Sequence, residues 1–185
     1  MASVLPFDEL NRFNTQLRER FGTTKLVKDD SEDIIDMLLD LFLLAYSTGN
    51  NVTNMNLGSA WTPTLDDVTK TVNKKVAGKT WEDRAKEYFS NGGSVDDIVR
   101  IAETETHRIA NTAALETAKK AGAKSKTWHC MMLPTSRDTH VYLDGVTVPI
   151  DGEFYSFKGG STQFPGQWGI AEEDVNCLCW LSFEK

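Results

Sequence analysis

Beyond Trp128 the recurrence of apolar side chains shortens from the ~3.6 residues of a helix to about 2, the period of a strand. That change of period constrains the fold more than any other feature of the chain. Up to Gly122 the pattern is helical throughout. Thereafter Thr139 to Leu143 alternates, Asp144-Gly145 offers a turn that needs positive φ, and Val146 to Ile150 returns. Asp151-Gly152 repeats the device before Glu153-Phe154-Tyr155-Ser156-Phe157, and Val175 to Phe183 reads as a further strand pairing back. The expectation is a three-strand antiparallel meander with a returning fourth strand. So small a sheet is marginal in water alone and needs either a helix to pack on or a cross-link at its ends. The expected class is α+β: a helical region over 1–122 with a long Ala-rich helix, then a small β-rich module over 123–185.

The helical region divides at its breakers. Phe7, Leu10, Phe13, Asn14, Leu17 and Phe21 share one face until Gly22 stops the run. Ser31-Glu32-Asp33 predicts the next start, with Ser31 as N-cap and two carboxylates in the first turn. Ile34, Ile35, Leu38, Leu39, Leu41, Phe42 and Ala45 fill so much of that helix that burial on most sides is expected, making it the hub. Asn50 to Pro63 reads as an Asn- and Gly-rich connection. Leu65, Val68, Val72 and Val76 predict a third helix ending near Gly78, and Thr80 caps a fourth with Trp81, Ala85, Tyr88 and Phe89 on one face. Ser94-Val95-Asp96-Asp97 resembles a capping box, after which Ile98 to Ala121 has no breaker and predicts one long helix ending at Gly122.

Charge and cysteine usage exclude several classes. A formal charge of −7 argues against a nucleic-acid surface as the main partner, because phosphate binding needs a basic face. Lys119, Lys120, Lys124 and Lys126 read as a solvated helix end. The N-terminus lacks the basic and apolar regions of a signal peptide, so no export signal of the chain's own is expected. Met37 to Ala45 is interrupted by Asp40 and is too short to span a bilayer, so no membrane partner is expected. Three cysteines do not make a disulfide framework.

Three constellations carry chemistry. Cys177-x-Cys179 with His140 and Cys130 offers thiolate and imidazole, the donors zinc prefers, and a structural zinc there would staple the end of the module to its beginning. The alternative is buried reduced thiols acting as small hydrophobes. Arg137, Asp138 and His140 form a candidate acid–base group, with His140 as general base and Arg137 stabilising charge; the alternative is a polar strand start held by ion pairs. Glu103 and His107 stand one helical turn apart as metal ligands would, but without a second His they read as an ordinary exposed polar face. No phosphate-binding Gly-rich loop and no Gly-x-Ser-x-Gly elbow occurs. Trp128, Trp168 and Trp180 are expected to fill the core of the small sheet.

The order of these features is more specific than any one of them. Glu103-Thr-Glu-Thr-His-Arg108 is followed by Asn111 and an Ala-rich stretch, then by Lys126-x-Trp128 and Ser136-Arg137-Asp138-x-His140. Leu143-Asp144-Gly145, Val148-Pro149, Phe154, Pro165-Gly166 and Asn176-Cys177-x-Cys179 complete the series. From about Ile101 to Trp180 this succession resembles the C-terminal domain of the phage Mu F-like minor head proteins, also called phage head morphogenesis proteins. The resemblance implies a component of a tailed-phage or prophage head, made in the bacterial host cytoplasm and placed in the virion. It implies protein contacts with the portal or the major capsid protein, with homo-oligomerisation left open, and no catalysis. Arg137, His140, Asn176, Cys177 and Cys179 fall on the family's characteristic positions. Other members carry Cys-x-x-Cys where this chain has Arg137 and His140, which implies a metal or a cross-link there.

Two departures bear on that likeness: Leu133 stands where many members have Asp, and Cys177-Leu178-Cys179 replaces the usual Cys-Arg-Cys. The first weakens a catalytic role. Some relatives join this domain to a C-terminal toxin enzyme, whereas here Lys185 follows Trp180 by five residues, so the plain structural form is expected. The alternative is a small effector enzyme, a hydrolase or nuclease-like protein using His140 and Arg137.

Overall fold

A helix begins where a side chain can take up its first free amides, and three starts in this chain use the same device. In the computed structural model, which describes residues 4–22, 25–26 and 28–185, α1 spans Phe7–Phe21 and α2 spans Ser31–Leu57. Next come α3 (Leu65–Val72), α4 (Trp81–Asn91) and α5 (Val95–Lys120). Thr64 with Asp67 and Thr80 with Asp83 form reciprocal capping boxes. At the head of α5 the amide and the hydroxyl of Ser94 both donate to Asp97 Oδ2, each at 2.9 Å.

The helices pack into one cluster: Leu10, Phe13 and Leu17 of α1, Ile34, Leu38 and Phe42 of α2, Trp81, Ala85 and Phe89 of α4, and Ile98, Ile101 and Ile109 of α5. Within this cluster α2 packs on each of the other helices, as expected of a hub of the helical part, and α5 does so too while lending its other face to a second cluster. There Ala110, Ala114, Leu115 and Ala118 meet Trp128, Leu143, Phe154, Phe164, Leu181 and Phe183. Its alanines let neighbours come close. A Cβ added at Gly49 of α2 would stand 2.2 Å from the carbonyl oxygen of Ala110, so the two helices cross backbone against backbone.

The expected connection from Asn50 is instead the last two turns of α2. Its asparagines are spent on tertiary bonds: Asn50 Nδ2 donates to Thr117 Oγ1 at 2.8 Å, and the Asn54 side chain pairs with both the amide and the carbonyl of Trp61. Tertiary contacts outweigh weak helix propensity there. Asp30, not Ser31, holds the N-cap position of α2, without a side-chain bond. The third helix stops at Val72, and Val76 pairs with Lys79 in an isolated bridge.

Past α5 the chain forms β1 (Ser125–His129), α6 (Asp138–Leu143), β2 (Thr147–Pro149), β3 (Phe154–Tyr155), β4 (Ser161–Thr162), α7 (Ala171–Asp174) and β5 (Trp180–Glu184). The sheet is antiparallel with order β2-β1-β5, setting Lys126 opposite Val148 and Phe183, while β3 and β4 pair separately. The meander expectation fails at its first strand. Thr139 to Leu143 is helical, with the Arg137 carbonyl accepting from the amides of His140 and Val141. Its inward residues Thr139, His140 and Leu143 fit one helical turn, and a run this short is ambiguous by period alone. Gly145 does take positive φ, yet its turn delivers the chain to β1: Gly145 donates to the Trp128 carbonyl, and Trp128 to that of Val146. The returning strand exists but starts at Trp180, leaving Val175 to Cys179 irregular. Among the described residues no helix is long and apolar enough to cross a membrane.

Candidate metal centre

The irregular segment before β5 carries two of the cysteines. Asn176 takes a left-handed φ of 56° just ahead of them, and Cys177 and Cys179, two apart and so able to share a face, are both buried. His140, on the inward face of α6, is 2% exposed. Each cysteine Sγ lies 3.5 Å from His140 Nδ1, and the three donor atoms all lie within 4.8 Å of one another. Zinc–sulfur and zinc–nitrogen bonds at a tetrahedral angle place such donors about 3.5–3.8 Å apart, so this group could hold a metal ion.

Cys130, just past β1, is buried on the wall of the same cleft, outside that tight group of three. Its amide donates to Asp144 Oδ1 at 2.8 Å. The neighbouring Cys179 side chain draws the Cys177 thiol down; burial opposes the shift and His140 reinforces it. Cys179 is pushed up, first by Cys177 and then by burial. A lowered thiol favours the thiolate, the form that ligates metals.

The α5 residues singled out by sequence turn out to be this segment's supports. Thr104 Oγ1 accepts from the Asn176 amide at 3.5 Å, and Asn111 Nδ2 donates to the Cys179 carbonyl at 3.0 Å. His107, between them on the same face, is buried near the Cys177 backbone, and burial lowers it to about 4. The exposed polar face expected from Glu103 to Arg108 is therefore largely interior, and Glu103 with His107 forms no metal-ligand group among the described residues. Glu105 is 1% exposed between two arginines: Arg84 binds one carboxylate oxygen, and Arg108 Nε the other at 2.7 Å. Arg108 also reaches the Thr71 carbonyl. Gly166, at φ 86°, lies on that turn of α5, where an added Cβ would stand 3.3 Å from Arg108 Cα.

The acid–base trio is not assembled. Arg137 donates from Nε to the Glu172 carbonyl and from Nη2 to that of Val175 at 2.5 Å, so its guanidinium brackets α7. Asp138 is exposed, while His140 faces the thiols. On the far side of the imidazole, Nε2 lies 3.0 Å from Glu173 Oε2, the same oxygen that accepts from Thr139 Oγ1 at 2.8 Å. The ring also stacks near Trp168 and meets the edge of Trp128, at 6.3 and 5.5 Å between centroids. Glu173 escaped the sequence reading because Glu172-Glu173-Asp174 looks like any acidic surface turn.

Lys126 corrects the basic patch. It has no accessible surface, its Nζ has no hydrogen-bond partner among the described residues, and it stands 5.7 Å over the Phe154 ring. Burial lowers it to about 8. Trp128 is fully buried as expected, with Trp168 and Trp180 packed at the edge of the same cluster.

With this geometry in place, comparison with known proteins gives the following. The chain matches the family described as Phage Mu protein F like protein over residues 65–182, well over half its length. The NAD(+)--arginine ADP-ribosyltransferase EFV of Enterococcus faecalis is 38% identical over 90 residues, which cover 46% of this chain and 18% of that protein. Minor head protein GP7 of Bacillus phage SPP1 is 33% identical over 85 residues, covering 44% of this chain and 28% of that protein. The chain thus spans less than a third of the length of either curated relative. No solved structure matches it.

Proposed function

The chain belongs to the phage Mu protein F-like family, and from that membership we propose that it is a minor head component of a tailed phage or prophage, working by contact with the portal or major capsid protein during head assembly. A phage head role follows from the family and from the likeness to a minor head protein. The observation that carries the non-catalytic reading is how the motif residues use their polar groups. Arg137 is spent on two carbonyls, Asn111 on the Cys179 carbonyl, and Glu105 on Arg84 and Arg108. Groups so occupied hold a shape and are poorly placed to meet a substrate. The same occupancy stands against an effector enzyme built on His140 and Arg137. The transferase activity in the enterococcal relative's name belongs to a protein of which this chain spans 18%.

The metal reading is part of this proposal: His140, Cys177 and Cys179 hold a structural zinc, with Cys130 as the fourth donor. Borderline-soft zinc suits thiolate and imidazole, and such a centre would cross-link the short elements of the C-terminal unit. We place synthesis in the host cytoplasm and the working location in the virion, and self-association there is part of the same test.

Mass spectrometry of purified particles, counting copies against the major capsid protein, decides the main point. A few to some tens of copies per particle is the expected result. Absence from particles, with abundant protein in the lysate, would overturn the virion location. Zinc released from the purified protein on thiol modification, about one ion per chain, is expected for the metal centre.

A further inference from the structure

We propose that Glu173 orients His140 in this centre, holding the proton on Nε2 so that Nδ1 faces Cys177 and Cys179. The inference rests on the metal reading above and adds a residue that lies outside the four donors. A histidine that ligates through one nitrogen carries its proton on the other, and that N–H needs an acceptor to fix the tautomer and the ring. The two nitrogens of His140 have different surroundings. Nδ1 has two sulfurs at 3.5 Å, and Nε2 has one carboxylate oxygen at 3.0 Å. The oxygen lies beside the ring N–H direction, so Nε2 makes no hydrogen bond among the described residues; the contact is one of charge and distance, with Glu173 fixed by the bond from Thr139.

The carboxylate is itself held. Thr139, beside His140 on α6, donates to the oxygen that faces the imidazole. Arg137 grips the carbonyls on either side of Glu173, at Glu172 and Val175, which fixes where α7 puts its side chain. Neighbours do not duplicate the role: Glu172 is exposed, and Asp174 is taken by the amides of Trp168 and Gly169. The geometry thus gathers a carboxylate only 6% exposed and two buried thiols around one imidazole.

The test loads the full chain with Co(II), whose thiolate charge-transfer and d–d bands report ligand set and symmetry, and titrates it against a chelator. In Glu173→Ala, cobalt affinity is expected to fall about 10–100-fold, the usual effect of removing such a partner. Glu173→Gln, which keeps an acceptor, should recover part of the loss, and Glu172→Gln should match the parent. Wild-type cobalt affinity and bands in Glu173→Ala would overturn the proposal. Should Glu173→Ala fail to fold, the zinc-loaded parent still decides, through the 15N shifts of His140. Protonated Nε2 with metallated Nδ1 is expected, and the opposite tautomer would overturn the role of Glu173 while leaving the metal in place. A parent chain that binds no cobalt overturns the metal reading first and this inference with it.

Discussion

The two clusters along α5 are built by different means. On one side, helices of 8 to 27 residues bury large aliphatic and aromatic side chains against one another. On the other, none of the elements that follow α5 exceeds six residues, and their position is set by side chains bonding to main chain. Arg137 grips Glu172 and Val175, Asp174 takes the Trp168 and Gly169 amides, Asp144 takes that of Cys130, and Asn111 reaches Cys179. The lesson is that short elements, which bury little apolar area each, are located by directed polar bonds. Long helices depend on such bonds less, because each buries enough apolar area to be placed largely by packing.

The largest expected effect tests whether the parts proposed at 1–122 and 123–185 are separable. Residues 123–185 expressed alone lack the α5 wall of Ala110, Ala114, Leu115 and Ala118, so they should lose dispersed amide resonances altogether. A folded fragment would show that the polar bonds suffice. Within the helical side, Phe42→Ala should cost ~3–5 kcal/mol by denaturant unfolding, because Phe42 is fully buried against Trp81.

Asn111→Ala should cost about 1–3 kcal/mol, leaving the Cys179 carbonyl without that donor, and should loosen the cysteine segment more than the helices in hydrogen exchange. Uniform loss of protection would erase the contrast between the two sides. The smallest effect is Lys126→Met, expected to stabilise by ~1 kcal/mol at neutral pH by removing a buried amine that has no hydrogen-bond partner among the described residues. Its pH signature has a definite sign. The folded amine titrates near 8 and the unfolded one near 10.5, so in that window the unfolded chain binds the extra proton. Stability of the parent should therefore rise with pH between about 8 and 10.5, and the rise should vanish in Lys126→Met.

Legibility in the sequence followed the same division. The extents of α1, α4 and α5 could be read because periodicity ran for many residues between clear breakers, and Thr80 and Ser94 announced their caps. Thr139 to Leu143 was misread because one turn of helix and a short strand place inward residues alike. His140, Cys177 and Cys179 were picked out by donor chemistry, and the fold brings their donor atoms together. Lys126 and Glu173 were not legible. A charged side chain gives no sign of burial until the sheet and the α7 turn close over it.

Backbone contact between Gly49 and Ala110 fixes the rotational phase of α5 against α2. α5 is a single rod of 26 residues, ~39 Å long at the usual rise, and successive residues advance by about 100° around its axis. Ile98 and Ile101 near one end and Asn111 further along are therefore phased like lobes on a camshaft. One inserted residue between them would turn the far lobes by that angle and swing Asn111 off the Cys179 carbonyl, though every side chain stayed the same. Point substitutions are open to such a rod, but a change of length within it is not, so variation in chain length should be pushed out to the loops on either side.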